Sequence, residues 1–283
     1  MILISGGTGT TGSEIVRQLA ATGTQFRVLA RDPQKAAALR LPGVEVVAGD
    51  LSKPQSLGAA LAQIDRLLML SSPEPRQVEL QGNLLDAAKR AGVRHVVKFS
   101  AMTADPNAKA RFPRWHGQTE QQIRTSGLAW TFLRPTFFMQ NMLGLADMVR
   151  GGTIYQPAGD SKASFVDIRD IAAVAVKALT EAGHEGKAYD ITGPELLSYH
   201  DVARILSDVC GNPVKYQDIG RDAARQAMLG MGMPDWLADA LNELMDQMRT
   251  GEYAVVSNSV RDVTKRPPIK FANFARDKTA AWK

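Results

Sequence analysis

The 283-residue sequence has a single cysteine, Cys210, which excludes an intrachain disulfide and any multi-cysteine metal site. A reducing, cytoplasmic setting is the expected one. No apolar run is long enough to cross a bilayer. No basic leader precedes Ile2-Leu3-Ile4, so a signal peptide is not expected. Internal repeats and low-complexity linkers are also missing. The formal net charge is +5, yet the lysines and arginines are scattered singly, with no like-charged block and no interleaved aromatics. That excludes the usual footprint of a nucleic-acid binder. The densest basic stretch, Arg261 to Lys270 around Pro267-Pro268, reads as a solvated surface segment.

What is present is a regular alternation. The length allows one large domain or two unequal ones. Strands are expected at Ile2–Ser5, Phe26–Ala30, Val44–Ala48, Arg66–Leu70, His95–Ser100 and Ala129–Leu133, with amphipathic stretches between them. Gly23, Gly92 and Gly127 stand just past helical patterns, where a left-handed C-terminal residue is wanted. Ser52 with Gln55 reads as a capping box holding Pro54 in its first turn. Runs such as Leu67-Leu68-Met69-Leu70 suit strands buried on both faces, which predicts an α/β fold with a doubly wound parallel sheet of Rossmann type. Residues 1–135 form the expected sheet domain and 136–283 mostly a smaller C-terminal lobe, with segments at about 150–192 returning to the sheet. There, Phe165-Val166 and Tyr189–Ile191 look strand-like around a helix at Arg169–Thr180. Ser198 with Asp201 caps a helix ending near Gly211, and Leu237, Leu241, Leu244 and Met248 mark one face of another.

The strongest signal is Gly6-Gly7-Thr8-Gly9-Thr10-Thr11-Gly12, directly after the first strand and opening the first helix. It satisfies G-x-G-x-x-G as Gly7, Gly9 and Gly12, and G-x-x-G-x-x-G as Gly6, Gly9 and Gly12. In this context the pattern is a dinucleotide fingerprint: glycines allow a tight turn and close approach to a pyrophosphate, which the helix N-terminus attracts. The absence of a Walker lysine argues against a nucleoside triphosphatase. Arg31 follows the second strand, 19 residues after Gly12. An arginine there suits the 2′-phosphate of NADPH, where NADH would call for an acidic residue. Asp32 is better read as an N-cap with Pro33 at the first helical position. Lys35 adds to the phosphate site or stands as an exposed lysine. Asp50 and Leu51 after the third strand, and Ser71, Ser72 and Pro73 after the fourth, lie on the same carboxyl edge. The modest basic excess would help attract an anionic cofactor.

Together with Gly49-Asp50-Leu51, His95-Val96-Val97-Lys98-Phe99-Ser100, Trp130-Thr131-Phe132-Leu133-Arg134-Pro135, Phe165-Val166-Asp167-Ile168-Arg169-Asp170 and Arg266-Pro267-Pro268, the loop resembles the atypical short-chain dehydrogenase/reductases, nearly end to end. Within them the sequence is similar to the NmrA-like branch, which includes NADPH-dependent quinone and triphenylmethane-dye reductases. The resemblance implies that Pro135, Thr136 and Phe137 lie near the nicotinamide and that Ser100 takes the place of the catalytic serine. It also exposes a departure. The residues four positions after the tyrosines at 155, 189, 199, 216 and 253 are Gly159, Gly193, Ala203, Gly220 and Ser257, so no Tyr-x-x-x-Lys exists. Where it would fall, His116 and Glu120 share a helix face. His116 reads either as a general acid or as a surface histidine paired with Glu120; His95, His184 and His200 read as structural.

Hydride delivered to a quinone gives a stabilised phenolate, and a cationic dye needs no proton, so losing the tyrosine points to such acceptors. The leading expectation is an NADPH-dependent reductase of quinone-like, azo or other conjugated small molecules. The alternative is an NADP-binding redox sensor with little turnover; a sugar-nucleotide epimerase ranks below both. Phe137 and Phe138, with Met231 and Met233 in a glycine-flanked segment suggestive of a lid, are the candidate substrate contacts. No metal, membrane or nucleic-acid partner is expected, and the protein is expected to be a monomer or homodimer.

Overall fold

The computed structural model describes residues 1–34 and 36–283; Lys35, considered above for the phosphate site, lies outside the described residues. The first half runs β1 (Ile2–Ile4), α1 (Thr10–Ala20), β2 (Phe26–Ala30), β3 (Val44–Ala48), α2 (Leu57–Leu61), β4 (Arg66–Met69), α3 (Gln77–Arg90), β5 (His95–Phe99), α4 (Arg111–Arg124) and β6 (Ala129–Pro135). The second half continues with α5 (Ala146–Arg150), β7 (Thr153–Gln156), α6 (Ile168–Thr180), β8 (Lys187–Ile191), α7 (Tyr199–Cys210) and β9 (Lys215–Asp218). It closes with α8 (Arg221–Gly230), α9 (Asp235–Arg249), α10 (Ser259–Thr264), α11 (Phe271–Asp277) and α12 (Thr279–Trp282). Two compact units result. The first comprises Met1–Ala108, Pro113–Arg134 and Ile171–Tyr189; the second comprises Lys109–Phe112, Pro135–Asp170 and Asp190–Lys283.

The main sheet has the strand order β3-β2-β1-β4-β5-β6-β8. β1 pairs in parallel with β2 on one side and β4 on the other, so the winding reverses at β1. Helices cover both faces of such a sheet, which is why β1, β4 and β5 are almost wholly buried and read as continuous apolar runs. Leu3, Leu67, Met69, Val96 and Phe132 from the strands pack with Leu57, Leu61 and Leu84 from α2 and α3. Burying each such side chain stabilises the fold by roughly 1.5–3 kcal/mol. In open α/β sheets such a reversal point, at the strands' carboxyl ends, is the usual ligand position. The strands expected in the first half fall within one or two residues of those observed.

The departures have local causes. Ser52 caps no helix: its backbone N–H and hydroxyl both donate to the Asp50 carboxylate, and the short 3-10 turn at Pro54–Ser56 begins after Lys53 without a side-chain cap. Asp32 likewise closes a turn, accepting from the Gln34 N–H at 3.0 Å, and only a 3-10 turn follows at Ala37–Leu39. In both places an Asx-type turn outcompetes the helix cap.

Within the second unit, β7 and β9 form a separate two-stranded parallel sheet that alternation did not reveal. Phe165-Val166 makes only an isolated bridge, Val166 to Phe138. The Ser198 and Asp201 capping box is present in full, and Gly211 ends α7 with φ +75°. On α9, Met248 is buried as expected, but Ala238 and Asn242 lie inside where Leu237, Leu241 and Leu244 remain half-buried. No helix among the described residues is long and apolar enough to cross a membrane.

Candidate active site

The glycine loop begins where Ser5, fully buried at the end of β1, is tied to β4: its Oγ lies 3.1 and 2.9 Å from the Leu68 and Leu70 carbonyls and accepts the Leu70 N–H. This pins the point at which the chain leaves the sheet. Gly6 then turns with φ +69°, a conformation that favours glycine, and a Cβ there would stand 2.6 Å from the Leu70 carbonyl oxygen. At Gly12 a Cβ would collide with the Gly6 carbonyl oxygen. Gly9 is different: its backbone is extended, and a Cβ would meet only the Gly6 oxygen, at 3.6 Å. Gly7 has no such room, since a Cβ there would stand 2.6 Å from a Val28 methyl, so the packed backbone itself requires glycine at Gly6, Gly7 and Gly12 and leaves Gly9 open.

Helix α1 starts at Gly9 with no side-chain cap and no acidic residue in its first turn. Its leading N–H groups and positive dipole end thus face outward beside the exposed Thr8, Gly9 and Thr10, while Thr11 is buried. An uncapped helix start with room for a backbone approach fits a dinucleotide pyrophosphate. Arg31 lies just past β2, exposed, with no hydrogen bond or salt bridge to a described residue. A guanidinium at this strand end fits a 2′-phosphate.

Asp50 closes the turn after β3; the Ser52 N–H and hydroxyl hold its carboxyl below the usual range, with smaller help from Lys53 and Arg31. Leu51 is half-buried against the core, and its carbonyl accepts from Asn83 at 2.9 Å. Past β4, Ser71 Oγ accepts from the buried Gln81 amide at 2.8 Å, whereas Ser72 and Pro73 are exposed.

At the end of β5, Ser100 donates its hydroxyl proton to Glu120 Oε1 at 2.6 Å. Glu120 is only 3 % exposed, and Arg134 grips both of its oxygens. Of the two readings of His116, the surface pair with Glu120 is not formed, because Glu120 turns inward to Ser100 and Arg134. His116, half-buried, instead places Nδ1 3.1 Å from Lys98 Nζ. The helix reaches this position because Gly117 lets α4 press against the backbone of Asp105 and Pro106, where any Cβ would collide. Burial first, and the neighbouring ammonium second, hold the His116 imidazolium well below its ordinary range. Sequence reasoning missed Lys98 and Arg134 as members of this cluster. The available signal was a lysine inside the otherwise buried strand His95–Phe99.

The other histidines are engaged elsewhere. His95 Nε2 donates to Thr131, whose hydroxyl proton goes to the His184 carbonyl; the His184 ring pairs with the Tyr189 hydroxyl, and His200 lies 3.4 Å from Asp160. Among the described residues no three His, Cys, Asp or Glu side chains gather as a metal site.

On the second unit, Thr136 is 4 % exposed and its N–H donates to the Ile191 carbonyl, but its Oγ1 is buried without a hydrogen-bond partner. A buried hydroxyl left unpaired costs on the order of 1–3 kcal/mol, which a bound polar group would recover. Pro135, just before it, is buried. Phe137 and Phe138 are half-buried, and Phe137 meets the Tyr253 ring edge-on at 4.7 Å. Met231 is 70 % exposed and Met233 half-buried. The glycines around them end a helix: Gly232 takes φ +80° while the N–H groups of Met231, Gly232 and Met233 return to Ala227, Leu229 and Met228.

The chain is 47% identical over 283 residues to an NAD(P)H azoreductase of Xenophilus azovorans, covering 100% of this chain and 99% of that one. It is 34% identical over 245 residues to quinone oxidoreductase 2 of Escherichia coli (strain K12), covering 85% of each. Among solved structures, the triphenylmethane reductase of Citrobacter sp. complexed with NADP(H) matches with a TM-score of 0.90 and 26% identity, over 99% of this chain and 100% of that one. The NmrA-like family matches residues 1–272, and the chain belongs to that family.

Proposed function

We infer that this protein is an NADPH-dependent reductase of conjugated small molecules, an azo or quinone-like group being the part reduced. The observation that carries the reading is the 47% identity to an NAD(P)H azoreductase across the whole chain. The relatives named for quinone and triphenylmethane reduction point to the same class of acceptor. Bound NADPH supplies the hydride.

The chain's own residues supply binding and orientation. Thr8, Gly9 and Thr10 with the α1 N-terminus, from Thr11 to Gly12, are proposed for the pyrophosphate, and Arg31 for the 2′-phosphate. Asp50 and Leu51 are proposed for the adenine end, and Ser71, Ser72, Pro73 and Ser100 for the strand edge beside the ribose and nicotinamide. Pro135, Thr136 and Phe137 are proposed for the nicotinamide, where the Thr136 hydroxyl has a hydrogen bond to spare. Phe137, Phe138, Met231 and Met233 are proposed acceptor contacts. Ser100 spends its proton on Glu120, so towards a ligand it offers lone pairs only. Proximity of donor and acceptor is expected to carry most of the rate.

The test is NADPH consumption by the purified protein against quinones, azo dyes and cationic triarylmethane dyes. Steady turnover with an azo or quinone acceptor is expected. Tight NADP binding with no turnover of any of them would refute the reductase reading in favour of a sensor.

A further inference from the structure

Lys98 is a buried ionisable group beside the proposed site whose purpose the cofactor does not explain. It lies within β5 with no exposed surface. Its Nζ has three neighbours: Gln81 Oε1 at 3.0 Å, the Phe99 carbonyl at 3.1 Å and His116 Nδ1 at 3.1 Å. Gln81 is held in orientation by its amide N–H, which donates to Ser71. An ammonium with three N–H groups thus meets three acceptors, one of them an imidazole nitrogen. An ammonium has no lone pair, so opposite it Nδ1 must accept and the ring proton must sit on Nε2. Nε2 makes no hydrogen bond with a described residue.

We propose that Lys98 is a positioning residue that feeds a proton through His116 to the reduced acceptor. The inference rests on the reductase reading above. As hydride adds to one nitrogen of an azo bond, or to a quinone, the electron pair of the π bond moves to the far nitrogen or oxygen. That atom takes the proton from His116 Nε2. The N–H bond of Lys98 breaks and its proton moves to Nδ1, so the imidazole stays neutral with its tautomer reversed, and Lys98 becomes an amine. Reprotonation from solvent along the same path restores the pair. One hydride and one proton reach the acceptor, and no other reactant is needed.

Two features make the pair suited to this. His116 is held neutral, so by itself it has no imidazolium proton to give. Lys98 can supply one because burial lowers its ammonium from 10.5 to about 7, with Glu120 opposing. The charged or titratable groups around it are His116 and Glu120 on α4, and the Glu120 carboxylate is engaged by Ser100 and Arg134, with Arg124 4.0 Å away. α3 offers only the neutral Gln81.

Acceptors that need a proton and one that does not separate this role from simple structural support. In Lys98→Met the ratio of azo-dye turnover to cationic triarylmethane-dye turnover is expected to fall at least ~10-fold, since general acid catalysis contributes about 10²–10⁴-fold. The wild-type azo rate should decline as pH rises past 7, and the variant should lose that limb. Independently of turnover, ¹⁵N NMR of the four histidine rings should show His116 exchanging its Nε2–H for Nδ1–H as Lys98 loses its proton. In Lys98→Met that change should vanish. Equal losses with both dyes, or a His116 spectrum indifferent to Lys98, would overturn the proposal. A coupled pair in a wild type that reduces nothing would instead refute the reductase reading.

Discussion

Replacing Gly9 and Gly12 separately by alanine should split cofactor binding from folding. At Gly9 the backbone lies at φ −78° and ψ 168°, which any residue adopts, and the new methyl would meet only the Gly6 oxygen at 3.6 Å. The only fold cost is that of alanine at a helix N-cap, under about 1 kcal/mol relative to glycine. Yet that methyl fills the opening above the uncapped helix start, where a pyrophosphate oxygen must approach the backbone. Displacing it even partly should weaken NADPH binding at least ~10-fold, about 1.4 kcal/mol. At Gly12 the methyl would run into the Gly6 carbonyl, so the helix or the loop must shift. Overpacking of this kind costs about 1–3 kcal/mol, outweighing the roughly 1 kcal/mol that alanine gains in a helix. Thermal melts of the apoproteins and fluorescence titrations with NADPH separate the two effects. Gly9→Ala should melt near the wild-type temperature and bind poorly, and Gly12→Ala should melt several degrees lower. Undiminished NADPH affinity in Gly9→Ala would refute the assignment of the loop.

Arg31→Ala should weaken NADPH binding much more than NADH binding, because only the former presents a 2′-phosphate to the guanidinium; equal losses in parallel titrations would defeat that assignment. Lys98 also makes a stability prediction. A buried lysine lowered from 10.5 to about 7 leaves the unfolded chain binding the extra proton between those values, so native stability rises with pH across this window and is lost as pH falls back towards 7. Relative to Lys98→Met, the wild type should gain up to ~5 kcal/mol from pH 7 to pH 10.5 in denaturant titrations; parallel curves would show that the lysine is not desolvated as described. Met231→Ala and Met233→Ala should raise the Michaelis constant for bulky acceptors by several-fold, as measured with the dye panel. Unchanged KM and kcat for every acceptor would remove these methionines from the substrate site.

Much of the dinucleotide half was legible because its information is local. Alternating apolar runs, glycines past helix ends and the Gly6–Gly12 spacing each act over a few residues, and parallel strands buried on both faces announce themselves as continuous hydrophobic runs. The same locality explains the errors. Ser52 and Asp32 have the composition of helix caps, but nearby backbone N–H groups and side chains drew them into turns. β7 and β9 are four residues each, paired across some sixty positions of sequence, and carry no pattern of their own. Gly230 to Met233 looked open and mobile by composition, whereas the chain uses Gly232 to finish a helix with hydrogen bonds.

The cluster beside Ser100 belongs to neither category. The sequence by itself determined that α4 would set His116 and Glu120 on one face, that β1 would deliver a glycine loop to a helix start, and that no Tyr-x-x-x-Lys was available, since spacing and residue type suffice for each. Which partner each side chain takes was decided only by tertiary structure. Glu120 turns to Ser100 and Arg134, and His116 to Lys98, because α4 packs beside strands β5 and β6 closely enough to bury Lys98, Ser100 and Glu120 and to half-bury His116 and Arg134. In that low-dielectric space an unpaired charge is costly, so each ion or donor settles on the acceptors that the packed backbone brings within 3 Å or so.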